Sequence, residues 1–370
     1  MEYWNNGWRA LFLHRSSIPP FQSSCRLMEY EGRYKAFDPT RIETYPLSTR
    51  SNKVKLSDLV FPKDVDALVL ELPQEVQKDI QGVAEAIAAA RQAGKPVILF
   101  TGAHLIKNGL GPLLVDLVER GCVTLVAGNA ATSIHDFELA LIGETSENVP
   151  AALDQGRFGM AYEFAYMNMA LSVGNQQKLG FGEVLGRLIC DEDFRRSVLA
   201  LVAREESASR FQHPEVSVLA ACYRRGIPFT VHAGIGTDVI DQHPSFDGQA
   251  KGGCSGRDFL IYTNEVAKLT KGGVVLNVGS AVTGPEVLLK AVSMAANVGS
   301  VPRDIVTVDF DLRKHEPRQM TDETAQGYYF RDQKSVVTRI PQAFGGRGFY
   351  IRGDQRQTFP LLYKRVIEAQ

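Results

Sequence analysis

Apolar and polar positions follow two different periods in the first third of the chain. "DALVLEL" (66–72) and "PVILFT" (96–101) are short apolar runs, and "PQEVQKDIQGVAEAIAAARQAG" (73–94) between them has apolar residues at helical spacing. Continuous apolar runs are typical of strands buried on both faces, and Gly94 is suited to ending a helix. The pattern predicts a strand, a helix that ends before Gly94, and a second strand.

The same unit recurs down the chain. Strands are predicted at 122–128, 227–233, 272–279 and 304–310, and helices at 108–121, 133–143, 215–226, near 256–270 and 284–299. Alternation of strands and helices implies parallel strands joined by crossovers. The sequence therefore predicts an α/β fold with a doubly wound, mainly parallel, Rossmann-like sheet of six to seven units.

The pattern also suggests how the chain is divided. Residues 1–27 have no apolar period, and we expect a disordered or extended N-terminus there, with an ordered arm packed on another subunit as the alternative. Residues 28–65 would form an N-terminal arm. Residues 66–370 would be one Rossmann-like domain with a helical insertion at about 144–215 and an irregular cap at 311–370.

Composition narrows the class of protein. The formal net charge of −1 offers no basic surface for nucleic acid or anionic lipid. No apolar run reaches the roughly 18 residues that a membrane span needs. The five cysteines are scattered and never spaced as CxxC, which indicates reduced thiols in a cytoplasmic protein rather than disulfides or a zinc site.

Candidate chemistry is concentrated where the predicted strands end, which is where open α/β sheets bind ligands. After the strand at 96–101, Gly102 allows a close backbone approach and Asn108 opens a helix suited to phosphate, although GxGxxG is absent and a plain turn is the alternative. After 122–128, the small residues Ala127 to Ala131 leave room for a flat ligand. His135 and Glu138 follow there, where acidic residues also suit the helix dipole without any function.

The third strand end, "TVHAGIGTDVIDQHPSFDG" (230–248), holds two histidines and three carboxylates. Asp238 alone could be a helix cap, worth about 1 kcal/mol. A cap does not account for His232, Asp241 and His243 in the same stretch, because charged groups beside a buried strand are costly unless they meet a ligand or a partner. We therefore expect this loop to be functional.

Two further strand ends complete the set. Gly279 and Ser280 could hold a pyrophosphate on backbone amides. Thr307 and Asp309 stand where carboxylates often bind ribose hydroxyls. Five successive strand ends with ligand-ready residues make a stronger case than any one alone.

At these residues the sequence resembles the deoxyhypusine synthase superfamily over about 95–370. "TGAHLIKNGL", "IPFTVHAGIGTDVIDQHP", "GGVVLNVGSAV" and "DIVTVDFD" are similar to that superfamily's strand ends, with Thr237 and Asp238 matching a Thr-Asp pair. "TLVAGNAATSIHDFELAL" is similar to the NAD domain of arginine dihydrolase/ornithine cyclodeaminase enzymes.

The resemblance implies NAD chemistry: oxidation of an amine carbon to an imine, followed by return of the hydride. It implies a deoxyhypusine synthase-like aminoalkyl transferase acting on a polyamine such as spermidine or on an amino acid amine, in a homo-oligomer, tetrameric by resemblance. The nearest equivalent of the superfamily's nucleophilic lysine is Lys334, in a segment without the expected Trp and Gly, where an ordinary surface lysine is the alternative.

The residues thus assigned are, for catalysis, Lys334, Asp238, His232 and His243; for NAD, Gly102, Asn108, Gly128, Asn129, Thr237, Gly279, Ser280, Thr307 and Asp309; and for substrate, Asp238, Asp241, His135 and Glu138. No metal is assigned. Two alternatives stay open: a metal-dependent lyase or hydrolase that uses the His232, Asp238, Asp241 and His243 cluster, and a non-catalytic sensor of NAD or a metabolite.

Overall fold

The computed structural model describes residues 30–202 and 210–370. The prediction for 1–27 lies outside these residues. The strands in them are β1 Asn52–Lys55, β2 Val97–Thr101, β3 Leu125–Gly128, β4 Glu144–Glu147, β5 Phe229–Val231, β6 Val274–Val278, β7 Val306–Asp311 and β8 Arg347–Arg352. The helices are α1 Gln74–Gln92, α2 His104–Lys107, α3 Gly111–Glu119, α4 Ala130–Ile142, α5 Val149–Leu153, α6 Phe164–Gln176, α7 Phe181–Cys190, α8 Glu192–Leu199, α9 Val218–Arg225, α10 Gly248–Val266, α11 Thr283–Asn297, α12 Ile340–Phe344 and α13 Gln355–Glu368.

Six strands form one parallel sheet in the spatial order β5-β3-β2-β6-β7-β8. Numbered by their sequence within this sheet, the strands lie in the order 3-2-1-4-5-6, which is the order of the Rossmann fold. The order reverses between β2 and β6, which pair from Val97 with Val274 to Thr101 with Val278. The predicted α/β, doubly wound, Rossmann-like sheet is confirmed.

Alternate residues of the central strand face opposite layers. Val97 and Leu99 pack into the layer that includes α1, α3, α7, α9 and α13, whereas Ile98 and Phe100 pack into the layer of α10 and α11. All five residues of β2 are buried. These two layers explain the continuous apolar run in the sequence, because helices pack on both faces of the strand.

Most predicted elements are present within a few residues, but two predictions are corrected. Residues 68–72 are extended without strand pairing to any described residue, and Val69 is 80% exposed. An apolar run becomes a strand only where a neighbour can pair with it, and here Leu70 and Leu72 pack on the core singly.

The segment 311–370 is more regular than predicted, because β8 joins the sheet beside β7 and α13 packs on α1. Its glycines suggested a loop. In the structure, a Cβ atom at Gly346 would overlap the carbonyl oxygen of Ile305, and one at Gly348 that of Val337. These glycines allow close packing of the backbone and do not break the strand.

The N-terminal arm and the segment 144–215 meet in a small sheet. β1 pairs antiparallel with β4, from Asn52 with Glu147 to Lys55 with Glu144. After β4, α6 packs on α10 and α7 packs on α9 and beside β5. These contacts carry the described part of 144–215 to the β5 side of the main sheet. No helix in the described residues is long and apolar enough to cross a membrane.

Candidate functional site

A cleft of about 660 Å³ opens at the carboxyl ends of β3 and β5, beside the point where the strand order reverses. Four of the predicted site residues line it: Asn129, His232, Thr237 and Asp238. The remaining lining residues are Ala130, Ala131, Ala233, Gly234, Ile235, Lys251, Gly252, Ser255, Gly256, Phe259, Thr283 and Val287. This volume lies in the range of cofactor and substrate pockets.

Two long helices begin at the cleft. The Asn129 side chain accepts a hydrogen bond of 2.9 Å from the Thr132 amide and so caps α4. Thr283 is the first residue of α11, whose first turn is further stabilised by a 2.9 Å bond from the Gly284 amide to Ser280 Oγ. Helix N-termini carry partial positive charge and free amides, so this end of the cleft favours a phosphate or carboxylate group.

One face of α10 forms a wall of the cleft and is made of small residues. Gly252, Ser255 and Gly256 line it, and a Cβ atom at Gly252 or Gly256 would meet nothing within 4 Å. The Ser255 hydroxyl donates to the Val231 carbonyl at 2.8 Å and accepts from the Ala233 amide at 3.1 Å, which fixes the helix to the end of β5. The missing side chains leave the space that a ligand would occupy.

The strand ends of β2 and β6 approach each other closely at two predicted glycines. A Cβ atom at Gly102 would overlap the carbonyl oxygen of Gly279, and Gly279 itself has φ +68°. The Gln355 side chain lies against Gly279, and its Oε1 accepts from Asn108 Nδ2 at 3.3 Å. Gly102, Asn108 and Gly279 are thus brought together by the fold, and Gln355, which the sequence did not point to, bridges them.

Lys251 is the main residue of the cleft that the sequence missed. It is 1% exposed, and its Nζ donates to Asp238 Oδ2 at 2.8 Å and to Asp241 Oδ1. Asp241 Oδ2 also accepts from the Gly236 amide at 2.7 Å, which closes the loop after β5. The two predicted carboxylates are therefore held together by one buried ammonium group, with one negative charge in excess.

His232 lies at the wall of the cleft among aromatic rings. Its ring is stacked on Phe100 at 5.5 Å and meets Tyr262 edge-on at 5.2 Å. Burial lowers the pKa of His232 to about 3, so the imidazole is neutral at physiological pH.

His243 does not join His232. It is buried beside Ser245, which contacts its Nδ1 at 2.7 Å, and burial lowers its pKa to about 4. It does not line the cleft, and Asp247, the last carboxylate of this stretch, caps α10. The predicted cluster of His232, Asp238, Asp241 and His243 is therefore not assembled as a metal site. Among the described residues, the acidic or histidine group close enough to hold an ion is Asp309, Asp311 and Asp332.

Asp309 is fully buried at the end of β7. Its Oδ1 accepts from Asn277 Nδ2 at 2.7 Å, and burial together with the nearby Asp332 raises its pKa well above the usual range. Arg313 donates to both Asp311 and Asp332. Thr307 is also internal, since its hydroxyl donates to the Val336 carbonyl at 2.6 Å. Neither Thr307 nor Asp309 lines the cleft, and their assignment to NAD stays a prediction.

Lys334 is 2% exposed and is not the surface lysine that the sequence left as an alternative. Its Nζ lies 3.4 Å from the centre of the Tyr328 ring, and burial, Arg339 and Arg331 lower its pKa. It is not among the residues that line the cleft. Lys334 is therefore not part of the cleft wall that holds Asp238 and His232.

His135 and Glu138 belong to the contact between α4 and the N-terminal arm. Glu138 is 2% exposed and pairs with Arg50 at 2.8 Å, while the Thr145 hydroxyl donates to Glu138 and contacts His135 Nδ1 at 2.7 Å. Burial raises the pKa of Glu138, but Arg50, His135 and Thr145 together outweigh it and the pKa falls to about 2. These two residues are occupied by protein partners, and the substrate role predicted for them is not supported.

Comparison with known proteins gave matches among solved structures alone. No protein-family model and no curated protein matches the chain. ArgZ, an arginine dihydrolase from cyanobacteria, matches at 15% identity and a TM-score of 0.42 over 80% of this chain and 32% of its own. AgrE, in a ternary complex with ornithine and NAD+, matches at 14% identity and a TM-score of 0.43 over 82% of this chain and 34% of its own. A conserved LOR/SDH protein from Methanococcus maripaludis S2 matches at 15% identity and a TM-score of 0.43 over 81% of this chain and 71% of its own.

The chain thus spans about a third of the length of ArgZ and AgrE. At these identities and TM-scores the likeness carries no argument about what this chain binds or does. The resemblance to deoxyhypusine synthases remains a prediction from the sequence.

Proposed function

We propose that this chain is an NAD-dependent enzyme that oxidises an amine carbon of an amino acid or polyamine to an imine. One observation carries the proposal: a parallel sheet in Rossmann strand order has a roomy cleft at the carboxyl ends of β3 and β5, beside the point where that order reverses. In such sheets the crevice at the reversal is where dinucleotides bind.

The residues present fit a dinucleotide. The N-termini of α4 and α11 offer amides to the phosphates, and the bare face of α10 at Gly252 and Gly256 leaves room for a ring. Gly102 and Gly279 are packed on protein atoms and do not line the cleft, so their assignment to NAD stays a prediction. When bound, the nicotinamide would accept the hydride from the amine carbon.

Asp238 and Asp241 suit the amine. The two carboxylates pair with the single ammonium group of Lys251, so the three side chains together carry one negative charge in excess at the wall of the cleft. A protonated amine is attracted by this excess. Oxidation of a protonated amine would release one proton to solvent and one hydride to the nicotinamide. The iminium product would keep a charge of +1, which a nearby carboxylate stabilises.

The finer prediction, transfer of an aminoalkyl unit through Lys334, is not carried by this geometry, because Lys334 lies against Tyr328 away from the cleft lining. Transfer would require Lys334 and the cleft to come together, for example across a subunit contact in the predicted homo-oligomer. The absence of Lys334 from the cleft lining also favours the alternative, a sensor that binds NAD without turnover.

The test uses Gly252, where the structure offers a matched pair of substitutions. Gly252→Leu places a side chain in the cleft, and Gly252→Ala makes the same change of helix propensity without filling it. We expect calorimetry to show NAD+ binding to the wild type and to Gly252→Ala, and at least a roughly tenfold weaker binding, about 1.4 kcal/mol, to Gly252→Leu. NADH formation with ornithine and with spermidine then measures turnover.

Two results would contradict the proposal. If the purified protein releases no nucleotide on denaturation and shows no calorimetric signal with NAD+, the cofactor is wrong. If NAD+ binds equally well to the Gly252→Leu variant, the cleft is not its site.

A further inference from the structure

Thr230 and His232 lie two residues apart at the end of β5, and their side chains touch. The Thr230 hydroxyl is 3.1 Å from His232 Nε2. Thr230 is fully buried, and its hydroxyl has no other hydrogen bond with the described residues. The direction of this one contact decides which ring nitrogen of His232 carries the proton.

Only one direction satisfies both groups. If His232 Nε2–H donated, the Thr230 hydroxyl hydrogen would be left buried without an acceptor, which costs about 1–3 kcal/mol. If the hydroxyl donates to Nε2, the ring proton resides on Nδ1. A neutral imidazole has one donor and one acceptor nitrogen, so the choice at Nε2 fixes the other.

We infer that Nδ1 is the ring nitrogen on the cleft side of His232. His232 lines the cleft, and its Nδ1 neither bonds to a described residue nor belongs to the buried polar atoms without a partner. The rings of Phe100 and Tyr262 cover the rest of the imidazole. His232 therefore offers the cleft one N–H donor and carries no charge.

We propose that Thr230 is a positioning residue that holds His232 in its Nδ1–H tautomer, and that this N–H donates to an uncharged acceptor atom on a flat ring of the ligand. The proposal rests on the proposed function. Ile235, Val287 and Phe259 give the cleft apolar surfaces for a ring, and the helix N-termini favour the attached phosphate. A ring nitrogen of adenine and the carboxamide oxygen of nicotinamide share this chemistry, and the experiment below separates them.

The tautomer is measured first, on the protein without ligand. Long-range ¹⁵N–¹H spectra of histidine-labelled protein distinguish Nδ1–H from Nε2–H, and the spectrum of His232→Gln assigns the His232 signals. We expect Nδ1–H in the wild type and in Thr230→Ser, which keeps the hydroxyl. In Thr230→Val, which has a similar shape without the hydroxyl, we expect that preference to be lost.

The ligand is tested with AMP and with nicotinamide mononucleotide, each by calorimetry. We expect one of them to bind the wild type and Thr230→Ser within twofold, and to bind Thr230→Val about tenfold more weakly. Loss with AMP assigns the ring as adenine, and loss with nicotinamide mononucleotide assigns it as nicotinamide.

The proposal and the proposed function fail in different ways. An Nε2–H signal for His232 in the wild type overturns the role of Thr230 whatever the protein binds, and it needs no variant to fold. Equal loss of affinity in Thr230→Ser and Thr230→Val also overturns it, because the hydroxyl would then not be the cause. A wild type that binds neither NAD+ nor either mononucleotide overturns the proposed function and the ligand part of this inference together.

Discussion

Glu138 is a buried carboxylate that forms an ion pair with one cation of the N-terminal arm, Arg50. Its pKa of about 2 lies below its ordinary value of 4.5. A lowered pKa in the folded state stabilises the fold above pH 4.5, and this contribution is lost as the pH falls towards 2. The difference corresponds to roughly 3 kcal/mol.

We expect Arg50→Met to lower the free energy of unfolding at pH 7 by about 3 kcal/mol, because the carboxylate would remain buried without its cation. The loss should shrink as the pH approaches 4, where Glu138 takes up a proton. Lys55→Met is the control, since Lys55 pairs with Glu144 at 3.3 Å on the surface and should cost under about 1 kcal/mol. Urea unfolding at several pH values measures both, and equal losses would refute the special role of Arg50.

At the scale of elements, the N-terminus of α7 closes the open edge of β5. A Cβ atom at Gly182 would overlap the Phe229 carbonyl oxygen, and the Gly182 amide donates to Asp258 at 3.0 Å. Sheet edges left open invite pairing with other chains, and a helix end packed on the strand prevents this.

We expect Gly182→Ala to lower the free energy of unfolding by about 2 kcal/mol, because α7 must move away from β5. Gly256→Ala in α10 is the matched control, since a Cβ atom there meets nothing within 4 Å. That change should instead stabilise the helix by roughly 0.5–1 kcal/mol. Thermal unfolding of the two variants should shift in opposite directions, and a shift of the same sign in both would contradict the packing argument.

At the scale of the whole molecule, buried groups make the stability depend on pH in two opposing senses. The pKa of His243 is lowered to about 4 by burial, so its contribution is present above pH 6.5 and is lost as the pH falls. The pKa of Asp258 is raised to about 7 by burial, so its contribution is present at low pH and is lost as the pH rises through 7.

Variants of these two residues should therefore change the pH profile oppositely. Between pH 7 and 4, His243→Gln should gain up to roughly 3 kcal/mol relative to the wild type, because the wild type must keep its histidine uncharged at growing cost. Asp258→Asn should lose a similar amount over the same range. Free energies of unfolding across this range measure both, and parallel profiles for the two variants would refute the assignment.

Much of the fold could be predicted from the sequence because its signals are local. The helical period of 73–94 and the cap at Gly94 describe α1 closely, and Gly94 has φ +62°. The run at 66–72 shows the limit of such signals. Its apolar residues are typical of a strand. A strand also needs an adjacent strand to pair with, and the local sequence does not specify one.

The candidate site was predicted in part for the same reason. Asn129 and His232 were found because they follow strand ends directly, and Asp238 was found because it lies in the polar loop after β5. Lys251 was missed because a lysine within a helix is usually on the surface, although the four glycines of α10 (Gly248, Gly252, Gly253 and Gly256) are a signal that could have drawn attention to this helix.

The sequence by itself determined the alternation of strands and helices, the Rossmann-like class and the polar residues at the strand ends, because each of these depends on residues that are close together in the sequence. Only the tertiary structure decided the order of the strands, and with it which strand ends share a cleft. It brought Lys251 to Asp238 and Arg50 to Glu138, and it left Lys334 and His243 outside. The reason is physical: side chains distant along the chain meet only when packing of whole elements has fixed their positions.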